Sequence, residues 1–205
     1  MAGNGIEMTM TKILRNALCV ATAALALSAC VSFGGKAPPS MLVLTSDSNV
    51  AGGTSKSGAS GEALIVLLPE TPRKLDTNRV PVQVDDSNIA YIKDAVWADK
   101  PSRLMQMLLM ENIAAKNNRL VLNETDAGGK AQLYLSGSLL EFGLDEPASE
   151  AVVVYDAVKI NRGQTVEKKR FESRKPVTAI DAREAGRALN AAANDVAGQI
   201  SAWVE

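Results

Sequence analysis

The chain of 205 residues contains no histidine and few aromatic side chains, with two Trp, three Tyr and three Phe. Without histidine, Ser-His-Asp and Cys-His arrangements are excluded, and the commonest general base and zinc ligand are both missing. The sequence also has no S-x-x-K arrangement, no G-x-G-x-x-G motif and no P-loop. Its adjacent carboxylates, such as Asp85 and Asp86, lie in polar, turn-like segments that favour solvation. We therefore predict neither an enzyme nor a cofactor or metal site.

Neither positive nor negative charge is in excess, since the chain has 22 basic and 23 acidic residues. A nucleic-acid-binding protein would show a basic stripe with interleaved aromatic side chains, so nucleic acid is not an expected partner. Long apolar runs are missing too, because the apolar stretch at 17–26 is too short to cross a bilayer.

The sequence does have a lipoprotein processing signal near its start. Lys12 and Arg15 precede the apolar stretch at 17–26, and small residues follow up to Ala29 and Cys30. These are the three regions of a secretory signal, and a cysteine at the cut is needed only where its thiol is acylated before cleavage. We expect cleavage between Ala29 and Cys30 and lipid attachment at Cys30. The alternative is a chance cysteine in an ordinary signal.

The signal divides the chain into three parts. They are a signal peptide at 1–29 with an upstream extension at 1–9, a lipidated tether at 30–40 and one domain at 41–205. The tether is at most about 40 Å long when fully stretched, so the domain stays near its membrane. Cys19 leaves with the signal, so the mature chain has no thiol pair to oxidise and depends on its core.

Apolar patterns in the domain predict an α/β (α+β) fold with one mixed, mostly antiparallel sheet. Strands are predicted at Met41–Thr45, Ala63–Leu68, Arg79–Val84, Gln132–Leu144, Glu150–Ile160 and Thr165–Arg174. Tight connections make the last three an antiparallel meander, and a change of apolar parity predicts a bulge near Leu139. Pro81 cannot donate to a ladder, so its strand is expected at an edge or as a strand beginning.

Two helices complete the prediction. The first spans Pro101–Lys116 with Asp99 as its cap, and its leucines and methionines predict burial on more than one side. We interpret them as core, and a lipid-binding or oligomer surface is the alternative. The second helix follows the capping pair Asp181 and Glu184, and small apolar residues recur along it up to Trp203.

Several polar and aromatic residues are open to a structural or a functional interpretation. A basic cluster in the last strand consists of Lys168, Lys169, Arg170, Arg174 and Lys175. We expect it to face water, and contact with anionic headgroups is the alternative. Trp97 is interpreted as a buried anchor for the first helix rather than a docking residue. Arg79 is interpreted as a strand-end charge with a structural partner.

The order of elements over residues 41–204 resembles that of the ABC-type transport auxiliary lipoproteins. The residues that carry the resemblance are Pro72, Leu75 to Val80, Tyr91, Trp97-Ala98-Asp99, the Met-Leu helix, the strand from Tyr134-Leu135 to Phe142, then Phe171, Ser173, Pro176 and the Ala-rich C-terminal helix. The sequence departs from the family pattern mainly in the long loop at 46–61, which affects the alignment of the first strand.

The resemblance implies an α/β domain similar to the N-terminal domain of TolB. It also implies a lipoprotein that faces the periplasm and serves an MCE-type envelope transporter of phospholipids or other hydrophobic compounds. Its partners would be a periplasmic MCE-domain protein, an ABC permease and an ATPase, and a homo-oligomer stays open. Val31, rather than Asp, follows Cys30, so sorting to the outer membrane is expected. The alternative is a lipoprotein that itself binds lipid or regulates cell-wall synthesis, independently of a transporter.

Overall fold

The computed structural model describes residues 40–59, 61–117, 119–126 and 131–205. The elements in chain order are β1 (Leu64–Val66), β2 (Arg79–Gln83), β3 (Ile89–Val96), α1 (Pro101–Lys116), β4 (Val121–Leu122), β5 (Leu133–Asp145), β6 (Glu150–Asn161), β7 (Thr165–Pro176) and α2 (Ala182–Trp203), with a 3-10 turn at Arg73–Leu75. They form a seven-stranded mixed sheet and two helices. The predicted fold class is therefore confirmed.

The long strand β5 organises the sheet. One of its edges carries antiparallel β6, which in turn pairs with antiparallel β7. The other edge is shared, because β1 lies parallel to its start with Leu64 opposite Leu133. β2 lies parallel to the end of β5, with Val82 opposite Leu144. In the part of β5 between these two pairings, Ser138 forms a single bridge with Glu70. β3 pairs with β2, and β4 with β1. The predicted meander is confirmed, and β7 pairs only with β6 within the described sheet.

Two irregularities test the sequence interpretation. The register of β5 against β6 shifts between Leu139 and Glu141, which confirms the predicted bulge. Pro81 marks neither an edge nor the first residue of a strand, because β2 lies between β3 and β5 and begins at Arg79. The missing N–H of Pro81 is accommodated by a register shift between Arg79 and Pro81, and pairing with β5 starts only at Val82.

Gly143 explains how proline fits inside the sheet. A Cβ added to Gly143 would lie 2.4 Å from the carbonyl oxygen of Pro81 and 2.9 Å from its Cγ. Since β5 has no side chain at this point, the ring and carbonyl of Pro81 fill the space. The proline and the glycine on the neighbouring strand thus form one packing unit.

Other predicted boundaries need correction. The segment Met41–Thr45 is not a strand of the sheet, since it forms only one bridge, from Leu42 to Trp97. Two strands were not predicted, namely β3 and the two-residue β4. Asp99 is not the cap of α1, because Lys100 occupies that position and Asp99 accepts a hydrogen bond from the Lys100 N–H instead.

Both helices pack on the same face of the sheet. The shared core includes Leu104, Met105, Leu109, Ile113, Leu135, Leu139, Phe142, Val153, Tyr155, Ala185, Leu189, Ala192 and Val196. The small side chains of α2 let it approach the strands closely. Met105 of α1 is fully buried, whereas Met107 is 48% exposed, so the core interpretation holds for the inward side of this helix.

The start of α2 matches its sequence signature in part. The Asp181 carboxylate accepts a hydrogen bond from the Glu184 N–H at 2.9 Å, as a capping residue does. The Glu184 side chain does not return to Asp181, because it accepts from Thr178 and Arg187. The cap is therefore one-sided, and Glu184 fixes the preceding turn.

Candidate functional site

The predicted processing residues Ala29 and Cys30 lie outside the described part of the chain. The structure does describe the segment that directly follows the predicted tether. We call this segment, residues 41–56, the strap. Exposure alternates along its first residues, with Leu42 and Leu44 packed against the core and Met41 and Val43 each 58% exposed. This alternation is that of an extended chain with one buried side.

The beginning of the strap is fixed between β3 and α2. The Leu42 N–H donates to the carbonyl of Val96 at 2.8 Å, and the Leu42 carbonyl accepts from the Ala98 N–H at 2.8 Å. On the helix side, a Cβ on Gly186 would lie 2.8 Å from Leu42 Cδ2. Gly186 therefore provides the space into which Leu42 packs.

Two asparagines of α2 then replace a neighbouring strand as hydrogen-bond partners of the strap. The Thr45 N–H donates to Asn190 Oδ1 at 2.8 Å, and the Asp47 N–H donates to Asn194 Oδ1 at 2.9 Å. The Asn194 amide donates in return to the Thr45 carbonyl at 2.8 Å. Asn194 is buried, so its two bonds to the strap are partly shielded from water and define the position of the strap.

The end of the strap is held by α1. The Val50 N–H donates to the Glu111 carboxylate at 2.6 Å. The Lys56 ammonium donates to the carbonyls of Ala114 and Asn117 at 2.5 and 3.1 Å. These carbonyls belong to the C-terminal turn of α1, where a cation is favoured by the helix dipole. The strap thus connects both helices along their outer side.

Asn194→Ala is expected to loosen the strap. The change removes three hydrogen bonds of a buried amide, to Asp47, Thr45 and Asn190, and should lower the free energy of unfolding by about 1 to 3 kcal/mol. Hydrogen exchange should accelerate at the Thr45 and Asp47 amides before the sheet amides change.

The matched control is Gln199→Ala on the same helix, where an exposed side chain makes one long contact with the Glu172 carbonyl. It should leave stability within about 0.5 kcal/mol of the wild type. Equal exchange rates in the strap of the Asn194 variant and the control would show that the hydrogen bonds of Asn194 do not hold the strap in place.

The face of the sheet opposite the helices is the second candidate surface. Asp156 of β6 lies there between two cations of β7, because Arg170 donates to both its oxygens at 2.6 and 2.9 Å and Lys168 lies at 3.2 Å. Mainly through the hydrogen bonds from Arg170, the pKa of the Asp156 carboxyl falls to about 2. The basic cluster is therefore largely paired within the molecule, with Lys175 bonded to Asp195 and Arg174 to Glu172.

Stability should depend on pH through Asp156. Its folded pKa lies below the unfolded value, so its contribution is present above about pH 4 and is lost as the pH falls towards 2. In urea unfolding, the stability difference between the wild type and Asp156→Asn should shrink between about pH 5 and about pH 2.5. A difference that stays constant over this range would contradict the ion pairs.

A cleft of about 330 Å³ lies on this face at the end of β5. Its floor includes Pro81, Gly143 and Val152, and the Lys74–Glu141 ion pair stands at its wall with nitrogen and oxygen 2.5 Å apart. Arg174 also contributes to the wall and contacts Glu150 at 3.3 Å. The cleft therefore presents a small apolar floor between charges that are already paired with each other.

The sequence matches, over residues 44–201, the family described as ABC-type transport auxiliary lipoprotein component. The chain belongs to this family. No curated protein matches this auxiliary lipoprotein.

Solved structures share its fold. A protein from Xanthomonas campestris is 15% identical with a TM-score of 0.66, and the match covers 80% of this chain and 94% of that one. A second structure, of an uncharacterized protein, is 16% identical with a TM-score of 0.62 and coverages of 71% and 93%. A PelC dodecamer from Paraburkholderia phytofirmans is 14% identical, and the match covers 72% of this chain and 91% of that one. Its TM-score of 0.43 is too low to support any inference about assembly.

Among the described residues of this auxiliary lipoprotein, no carboxyl group has a clearly raised pKa. Those with a clear pKa change all have it lowered, each first by a hydrogen bond from a neighbouring side chain; they are Asp76, Asp85, Asp156, Glu184 and Asp195. A general acid needs the opposite change. The described residues also contain no group of three or more carboxylate or thiol side chains placed to hold a metal.

The two residues considered for docking have structural roles in this auxiliary lipoprotein. Trp97 is fully buried, and its ring centroid lies 5.2 Å from that of Phe142. The Arg79 guanidinium lies 4.6 Å from the centroid of the Tyr91 ring, which is a cation–π contact. The burial of Trp97 and the structural partner of Arg79 are therefore confirmed.

The hydrogen bonds that Asn190 and Asn194 make with the strap were not predicted from the sequence. The available signal was their spacing of four, which puts them on one helix face in line with Gly186. Neither helix in the described ranges is both long and apolar enough to span a membrane.

Proposed function

We propose that this auxiliary lipoprotein is a noncatalytic subunit of an MCE-type ABC transport system that moves phospholipids or other hydrophobic compounds. In this proposal 1–29 is the signal peptide, Cys30 is acylated, 30–40 is the tether and 41–205 docks the assembly at the outer membrane from the periplasmic side. Its partners are a periplasmic MCE-domain protein, a permease and an ATPase.

The strap is the observation that carries the proposal. An extended segment that makes one sheet bridge is nevertheless held by the hydrogen bonds that its backbone donates to side chains of both helices. This arrangement fixes the position at which the tether leaves the domain, as an anchored subunit of an assembly needs. Family membership supports the transport role, and the expected sorting rests on Val31 after Cys30.

The test is capture of the transporter from envelopes. Cells that produce the tagged full-length chain are crosslinked, the outer and inner membranes are separated, and the captured proteins are identified by mass spectrometry. The expected result is enrichment of an MCE-domain protein, a permease and an ATPase together with the tagged chain in the outer-membrane fraction.

An unrelated lipoprotein with the same signal, tether and tag is the control, because it shares the anchor but not the domain. If the two chains capture the same proteins, the transporter role is contradicted. Capture of the transporter from inner-membrane fractions alone would contradict outer-membrane docking and leave the transporter role intact.

Direct lipid binding is the second candidate, and the exposed Met107 is the observation that favours it. A depression of about 300 Å³ beside α1 is lined by Met107, Met110, Ala114 and Val121, but also by Glu111. The inward side of α1 is filled, since Met105 is fully buried. A charged, shallow depression suits an acyl chain poorly, so the adaptor is preferred.

A further inference from the structure

Two apolar side chains are exposed where the described chain begins. Met41 and Val43 are each 58% exposed, on the outward side of the strap. Isolated exposed apolar residues are ordinary on proteins. These two differ because they share one side of a fixed extended segment and directly follow the tether.

The strap prevents these side chains from turning inward. Leu42, between them, is hydrogen-bonded on both sides, to Val96 and Ala98, and its own side chain occupies the space beside Gly186. Since neighbouring residues of an extended chain point to opposite sides, Met41 and Val43 must face out.

The chain that precedes the strap is short. Ten residues, 31–40, separate Cys30 from Met41 at the beginning of the strap, which limits the distance between these two residues to about 40 Å. If Cys30 is acylated as proposed, Met41 and Val43 are among the described residues nearest to the bilayer along the chain. At the high effective concentration that a short tether produces, even a weak contact is populated.

Two cations near this end of the domain are paired with carboxylates. Lys100 lies 2.6 Å from Asp76, and Arg187 lies 2.7 Å from Glu184. These two ion pairs add no net positive charge that would attract anionic headgroups. Apolar contact, rather than charge, is the interaction that this surface can make with a membrane.

We propose that Met41 and Val43 insert at the boundary between headgroups and acyl chains of the membrane that holds Cys30. This inference rests on the proposed acylation and deepens it, because it adds a noncovalent contact to the covalent one. The occupant of the exposed apolar pair is the lipid surface itself. The strap converts this contact into a defined orientation of the domain.

Site-specific fluorescence tests the contact. Full-length chains with Met41→Cys or Val43→Cys are acylated in cells, labelled with an environment-sensitive fluorophore and reconstituted into phosphatidylcholine vesicles that contain a nitroxide headgroup lipid. Loss of Cys19 with the signal and acylation of Cys30 leave the introduced thiol alone. Quenching at 41 and 43 should exceed that of the control by about threefold, and anionic lipid should not change it.

The control is Val166→Cys, whose side chain is 71% exposed. The control position and the strap lie near opposite ends of α2. Val166 pairs with Ile160, whose neighbour Lys159 donates to the carbonyl of Trp203 at the C-terminal end of α2. The strap instead begins beside Gly186, near the N-terminal end of α2. Acylated protein with equal quenching at 41, 43 and 166 overturns the inference alone. A blue-shifted but unquenched probe also overturns it, because a protein then covers the pair. An unmodified Cys30 by mass spectrometry overturns both the anchor and the inference.

Discussion

A chain with Cys30→Ser is expected to leave the membrane fraction almost completely while its domain remains folded. The substitution removes the only thiol of the processed chain, and hence the proposed site of acylation. In the proposed division of the chain, Cys30 precedes the domain at 41–205. Cell fractionation should find the protein in the soluble fraction, with an unchanged thermal transition by circular dichroism and loss of transport support in cells.

Cys19→Ser provides the matched control, since it removes the other cysteine of the chain. Cys19 lies inside the apolar part of the signal and is expected to leave with it, so membrane association should stay at the wild-type level. Persistent membrane association of the Cys30 variant, or normal transport by it, would contradict the anchored subunit.

Gly143→Ala is expected to lower the free energy of unfolding by about 3 kcal/mol, at the upper end of what overpacking usually causes. The new methyl group would lie 2.4 Å from the Pro81 carbonyl oxygen, so β2 must move away from β5. The contact is with backbone and a rigid ring, neither of which can rotate aside. Urea unfolding measures the loss.

Gly52→Ala is the control for this substitution, because an added Cβ at Gly52 meets nothing within 4 Å. It should change the free energy of unfolding by less than about 1 kcal/mol. If both glycine variants show the same small change, β2 is free to shift and the packing of Pro81 against Gly143 is not limiting.

Elements with a regular local pattern could be predicted from the sequence. The strands of the meander have recognisable connections, and apolar residues recur at helical spacing along α2. The bulge near Leu139 could be predicted because the apolar residues change from odd to even positions there. Strand β3 left no such signal. Asp94 has a φ of 60°, and the buried residues Ile92 and Ala95 are three apart instead of two. The irregular backbone removes the alternation on which strand prediction depends.

Contacts between distant parts of the chain could not be predicted. The position of β2 depends on the contact between Pro81 and Gly143, which lies more than 60 residues later in the sequence. The residues around Pro81 do not indicate this glycine, and those around Gly143 do not indicate the proline. The strap depends on Asn194, 147 residues from Asp47. Its first residues, Met41–Thr45, were predicted as a strand, but they make only one bridge, to Trp97, and the Thr45 N–H donates to Asn190 of α2. The processing signal at Cys30 stays a prediction.

The free edge of β7 gains importance once the protein is confined to a surface. Tethered domains diffuse in two dimensions, where collisions between equal edges are frequent and exposed strands can associate irreversibly. A symmetric antiparallel pairing centred on Lys169 would put Lys168 opposite Arg170 and Lys169 opposite itself. Like charges would then face each other along the new ladder. The basic run therefore disfavours this pairing of two β7 edges, as charged side chains do on exposed edge strands in general.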